Sequence, residues 1–272
     1  MSDLLDSLLV DLQAEGDLLW NAVAGLDADA WQTPTPAAGW SVATQVAHLL
    51  WTDEVAVLAA RTTSGEAADK EAWDAVVLEA IGDPTGYIDQ QADQVARLSP
   101  QALLARWGAA RTALAASLRA VPRGARMPWF GPPMSPTSMA TARFMETWAH
   151  ALDVYEALDL EPERTDRIRP VAHLGVRTRD FAFSVHDLPA PTEEIRVDLV
   201  SPSGDQWSWG PEDAAQTVTG SAWDFCLLVT QRMLRDDTDL VASGTDAEQW
   251  LAIAQAFAGP AGEGRRRNGG AT

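Results

Sequence analysis

The sequence predicts an all-α four-helix bundle followed by a smaller α+β domain. Apolar residues recur at helical intervals from about Leu4 to Ser184, and after Leu188 the spacing switches to period two. At 272 residues the chain can form two compact domains with separate cores. The expected boundaries are 1–160 for the bundle, 161–262 for the α+β domain and 263–272 for a disordered tail.

The first helix, roughly Leu4 to Ala24, places Leu5, Leu8, Leu9, Leu12, Leu18 and Leu19 on one face. Gln32 to Gly39 is rich in Pro, Thr and Gly and reads as a loop. Ser41 is a predicted N-cap for a strongly apolar helix, Val42 to Ala60. Thr62 to Asp69 is polar and reads as a connection, and a helix follows over Pro84 to Leu98. Ser99-Pro100 either opens a new helix to about Ala120 or kinks one long helix. Val121 to Ser135 is a proline-rich loop around Trp129-Phe130, and Pro136 to Leu158 is the next helix. Pro170 should start or kink a helix. Beyond it, Glu194–Val200 and Asp205–Trp209 alternate as strands around a Ser201-Pro-Ser-Gly204 turn. A short strand at 216–219, a helix over Ser221–Leu234, a strand at 239–242 and a helix over Asp246–Phe257 complete the domain. The Arg265-Arg-Arg-Asn-Gly-Gly tail should be disordered.

The net charge of −19 repels phosphate backbones and anionic headgroups, which argues against nucleic-acid and membrane partners. The acidic residues are dispersed, as on a solvated surface. A single cysteine, Cys226, excludes an internal disulfide, and its apolar surroundings predict a packed thiol rather than a nucleophile. The acidic, amphipathic N-terminus is not a signal peptide and no run is long enough to span a membrane, so a cytoplasmic protein is expected. Twelve Trp against two Tyr supply large rigid surfaces for cores and pocket walls.

The chemistry concentrates on Glu146 and His150, four residues apart and therefore on one helix face. His48 offers a third donor from another apolar helix. Alone, a histidine on an apolar helix is ordinarily a hydrogen-bonded core residue, and a Glu-x-x-x-His pair is ordinarily a surface pair. Here Glu146 is flanked by Phe144, Met145, Trp148 and Ala149, and an ionised carboxylate in that setting needs a strong partner. His48, Glu146 and His150 are thus the candidate ligands of a divalent metal, zinc by donor type, with a fourth position left open. Asp153 is placed to hold an imidazole nitrogen and set its tautomer. His173 and His186 lie in polar contexts and are read as non-ligands.

The motifs Gly39-Trp40-Ser41-Val42, Val46-Ala47-His48-Leu49 and Glu146-x-x-x-His150-x-x-Asp153 resemble those of DinB-like bundle proteins. More closely, they are similar to the mycothiol-dependent maleylpyruvate isomerase group of actinobacteria. Val218–Phe225 and Thr230-Gln-Arg232 resemble the sterol-carrier-type (SCP2-like) α+β domain common in that group. The resemblance implies a zinc-type centre at His48, Glu146 and His150, and a low-molecular-weight thiol, mycothiol, used in isomerisation or S-transfer on an electrophilic small molecule. Arg143 and Arg232 are then candidate catalytic arginines for a substrate carboxylate. Trp51, Trp129 and Phe130 are candidate substrate-binding residues, and so aromatic a setting favours a larger, less polar substrate than maleylpyruvate. The alternatives are a thiol-independent isomerase or cyclase of specialised metabolism and a non-catalytic protein that binds metal or apolar ligands. Oligomeric state is not legible in the sequence.

Overall fold

The structure, a computed structural model, describes residues 2–84, 86–257, 259, 261–262 and 264–265. Most of the tail expected to be disordered lies outside the described residues. The chain divides into two compact units, Met1–Pro162 and Glu163–Thr272, each considered by itself.

The first unit contains α1 (Ser2–Val23), α2 (Val42–Arg61), α3 (Ala67–Gly82), α4 (Tyr87–Ala96), α5 (Pro100–Ala120) and α6 (Pro136–Ala157). The bundle is α1, α2, α5 and α6, with α2 packed on α5 and α6, and α1 packed on α6 and α5. Three serines start three of these helices. The Oγ atoms of Ser41, Ser99 and Ser135 accept from the backbone N–H groups of Thr44, Ala102 and Ser138. Pro100 and Pro136 occupy the first helical turn, where a missing N–H costs nothing. Ser99 therefore opens a separate helix, which settles the choice between a new helix and a kink.

α2 is apolar on all sides and buried almost throughout, because α3 and α4 cover the face that the bundle leaves open. α3 carries no helical signal in the sequence: residues 62–69 read as a polar connection and 70–83 show no periodicity. Its single buried residue is Trp73, while Leu78 and Ile81 are exposed. Apolar residues scattered around the helix produce no stripe for periodicity to detect. α4 begins at Tyr87, later than the predicted Pro84.

The second unit contains α7 (Arg169–Arg177), α8 (Arg179–Val185), β1 (Ile195–Val200), β2 (Gln206–Trp209), β3 (Gln216–Ser221), α9 (Ala222–Val229), β4 (Val241–Ser243) and α10 (Thr245–Ile253). Pro170 lies in the first turn of α7 and so starts that helix. Among the described residues the strands form one sheet in the order β2-β1-β3-β4. β1 and β2 are an antiparallel hairpin in which Val200 faces Gln206, β1 and β3 run parallel, and β3 and β4 are antiparallel. The alternation on β1 buries Ile195, Val197 and Leu199 on the face against which α9 packs. α9 stops at Val229, short of the predicted Leu234. Thr230 Oγ1 caps back to the Cys226 carbonyl, and Gln231 adopts a left-handed backbone (φ 60°) that ends the helix. α7 approaches α9 closely at Gly175, where a Cβ would lie 2.9 Å from Phe225 and Val229 side-chain atoms. Cys226 is fully buried, and burial pushes its thiol pKa well above the ordinary value, as suits a packed residue. No helix among the described residues is long and apolar enough to cross a membrane.

Candidate metal centre

The centre lies between α2 and α6. Gln45 and His48 are separated by three residues on α2, and Glu146 and His150 by four on α6, so each pair occupies one face. One donor atom from each of His48, Glu146 and His150 lies within 4.8 Å of the other two. His48 Nε2 is 3.3 Å and His150 Nε2 is 3.2 Å from the same oxygen, Glu146 Oε2. Ligand atoms about 2.0–2.1 Å from a tetrahedral zinc stand about 3.3 Å apart, so these separations fit a shared ion.

The surrounding hydrogen bonds determine which way the donors face. Gln45 is fully buried, and its Nε2 donates to Thr35 Oγ1 at 2.8 Å and Asp153 Oδ2 at 3.4 Å. A carboxylate only accepts, so this end of the amide is the NH2 group. Gln45 Oε1 therefore faces His150 Nδ1, which must carry the proton and donate to it. In the neutral ring, His150 Nε2 is then a bare lone pair aimed at a carboxylate oxygen. A positive charge belongs between them.

Burial, reinforced by the neighbouring His150, lowers the His48 pKa to about 4 against the opposing pull of Glu146, so its imidazole is neutral at physiological pH. His48 Nδ1 is buried without a hydrogen-bond partner. Burial alone would raise the Glu146 pKa, but its interactions with the His150 and His48 rings outweigh it and hold the carboxyl well below its ordinary range. Two imidazoles and one carboxylate form a donor set for a borderline divalent cation.

Trp40 walls the centre. Its ring stacks on His150 (centroids 5.7 Å apart, 15° between planes) and tilts against His48 at 5.2 Å. Its Nε1–H donates to Asp89 Oδ1 on α4 at 3.0 Å. The preceding loop is tied by Thr35, whose N–H and Oγ1 both donate to the Trp40 carbonyl. Gly39 takes the left-handed conformation (φ 80°) that directs the chain into this wall. Within the Gly39-Trp40-Ser41 motif, the first residue turns the backbone, the second shields the imidazoles and the third caps α2.

A family model described as "Mycothiol maleylpyruvate isomerase N-terminal domain" matches residues 12–155, the segment that contains this centre. The chain belongs to that family. A second model, described as "Wyosine base formation", matches residues 191–243. Two uncharacterised proteins, from two strains of Mycobacterium tuberculosis, are each 53% identical to it over 257 residues, covering 94% of this chain and 97% of theirs. The crystal structure of a mycothiol-dependent maleylpyruvate isomerase aligns with a TM-score of 0.58 at 15% identity, covering 88% of this chain and 92% of that one. A His-to-Ala mutant of the isomerase aligns with a TM-score of 0.59 at 14% identity and the same coverage. At such identities the structural likeness establishes the fold.

In this family member the other candidate residues are placed as follows. Asp153, expected to hold an imidazole, is buried and accepts from Gln45 Nε2 at 3.4 Å. Gln45 also meets His150 and is the residue that the sequence reading missed. The signal for it is a glutamine one turn before His48, in the apolar first half of the helix. Arg143 was expected to meet a substrate carboxylate. It is instead 2% exposed, and its Nε–H donates to Asp53 Oδ1 at 2.9 Å, so its charge is already committed inside the bundle. Arg232 is in the second unit, where Nη1 donates to the Thr230 carbonyl. His173 Nδ1 accepts from Trp209 Nε1 at 3.2 Å.

Trp51, one turn beyond His48 on α2, packs edge-on against Tyr87 and stacks on Phe130. Trp129 stacks on Trp73 of α3. The proline-rich loop is thus fastened to α2 and α3 by its two aromatics. Phe130 keeps 46% of its surface exposed, while Trp51 and Trp73 are buried.

Proposed function

We propose that the protein is a metal-dependent enzyme that uses mycothiol to isomerise or S-conjugate an electrophilic small molecule. The observation that carries the reading is the convergence of two imidazole nitrogens on one carboxylate oxygen beside Trp40, in a chain of this family. His48, Glu146 and His150 would hold the cation, with zinc best matched to the donors. When bound, it would supply a positive charge that lowers the pKa of a sulfur donor toward neutrality. The thiol would supply the nucleophile for an electron-poor double bond, giving isomerisation if it leaves again and an S-conjugate if it stays.

The rest of the task falls to the chain's own side chains. Gln45 keeps the His150 proton on Nδ1 and leaves Nε2 free to coordinate. Asp153 and Thr35 hold the Gln45 amide in the orientation that makes this possible. Trp40 keeps water from the ring faces of both imidazoles. Glu146 retains 26% of its side-chain surface, so the centre is approachable from its side. Phe130, with Trp129 beside it and buried Trp51 behind it, offers an apolar surface suited to a substrate larger and less polar than maleylpyruvate. Arg143 has no place in this scheme as a substrate contact.

The test begins with protein never exposed to chelator, which should carry close to one divalent metal per chain. His48→Ala and His150→Ala should lose that metal with circular dichroism unchanged. Metal-loaded protein should consume mycothiol in the presence of an electrophile from a panel of activated alkenes, and chelated protein should not. Absence of metal in the untreated protein refutes the centre. A loaded protein that consumes no thiol across the panel refutes the thiol chemistry and favours the thiol-independent alternative.

A further inference from the structure

Arg143 and Asp53 form a buried ion pair with side chains 2% and 3% exposed. Asp53 is on α2, five residues beyond His48, and Arg143 is on α6, one turn before Glu146. The guanidinium reaches α2 twice. Its Nε–H donates to Asp53 Oδ1 at 2.9 Å, and an Nη2–H donates to the carbonyl of Leu49, the neighbour of His48, at 3.4 Å. The other Asp53 oxygen accepts from Trp107 Nε1 of α5 at 3.2 Å. One carboxylate therefore joins three helices of the bundle.

Such a pair is a poor source of stability, because desolvating two charges consumes most of their attraction. What it does well is specify position. A helix rises about 1.5 Å per residue, so sliding α2 along α6 by a single residue would break both guanidinium contacts. The same slide would separate His48 Nε2 from Glu146 Oε2, now 3.3 Å apart. Apolar packing alone tolerates small shifts that a planar fork with fixed donor directions does not.

We propose that Arg143 is a positioning residue for the metal centre: its guanidinium fork, seated on Asp53 and the Leu49 carbonyl, fixes the register of α2 against α6 and with it the gap between His48 and Glu146. The inference rests on the metal-binding reading above and assigns Arg143 a role without substrate contact.

The experiment uses Co2+, which reports its own coordination geometry by visible absorption, in the full-length chain. Asp53→Asn combined with Arg143→Met removes both charges and leaves an acceptor for Trp107. This variant should melt cooperatively near the wild-type temperature. Its Co2+ affinity, measured by chelator competition, should fall about 10–100-fold, the usual range for losing a group that supports metal ligands. Its visible spectrum should also differ from that of the wild type. Wild-type affinity and spectrum in the folded double variant overturn the proposal. Should the double variant not fold, Arg143→Lys keeps the charge and loses the fork, and the same two outcomes decide. Wild-type protein that takes up no Co2+ refutes the metal reading itself, and the register proposal falls with it.

Discussion

Replacing Gln45 with Leu removes the hydrogen bond that orients His150, together with those to Thr35 and Asp153. The two side chains have similar volume, and position 45 is fully buried, so the substitution should leave the packing of α2 on α6 intact. It removes the acceptor for His150 Nδ1. An N–H left unsatisfied in a largely buried site costs about 1–3 kcal/mol. Losing an outer-sphere partner of a metal-bound histidine typically weakens binding by about 10–100-fold, which is about 1.4–2.7 kcal/mol. The two routes agree, and the expected rise in the metal dissociation constant is one to two orders of magnitude. Competition against a chromogenic chelator at neutral pH measures it. Nitrogen-detected NMR of the metal-free wild type should independently show the His150 proton on Nδ1. A folded Gln45→Leu protein with affinity within about twofold of wild type would refute the argument that this amide sets the tautomer.

Metal-free protein should lose stability in mild acid, because the His48 pKa of about 4 lies below the ordinary 6.5 of the unfolded chain. The unfolded state binds the proton first, so stability present above pH 6.5 declines as pH falls toward 4, by roughly 3 kcal/mol in all. The depressed Glu146 pKa acts in the same direction, and its contribution disappears at lower pH still. Urea melts between pH 7 and pH 4.5 measure the slope, and His48→Ala should flatten it; a wild-type slope that the substitution leaves unchanged contradicts the assignment. Arg143→Ala leaves Asp53 buried without its counter-charge and should cost about 3–5 kcal/mol by urea denaturation. A loss below about 1 kcal/mol would show that the pair is not buried as described.

The two halves of the centre were differently legible. Glu146 and His150 could be paired from their spacing, because helix geometry places residues i and i+4 on one face whatever the fold. His48 stood out because an imidazole inside an apolar helix needs a partner. Arg143 is ambiguous in the sequence because an arginine three residues before a ligand is compatible with either substrate contact or internal pairing. Only Asp53, 90 residues away, decides between them. The missing α3 has a similar cause, since its exposure and unpatterned apolar residues leave periodicity with nothing to report.

The sequence by itself determined the helical bundle, the caps at Ser41 and Ser99, the switch to strands after residue 188 and the three residues that converge as donors. These follow from local rules: side-chain period, capping chemistry and the cost of burying an unpaired polar group. Only the tertiary structure decided that Gln45 meets His150 across 105 residues, that Trp40 shields both imidazoles, and that β1 and β3 run parallel. Periodicity reports the face of an element on which a residue lies. Which other face it meets is set by how the helices pack, and the tautomer and accessibility of the His48, Glu146 and His150 centre depend on that packing.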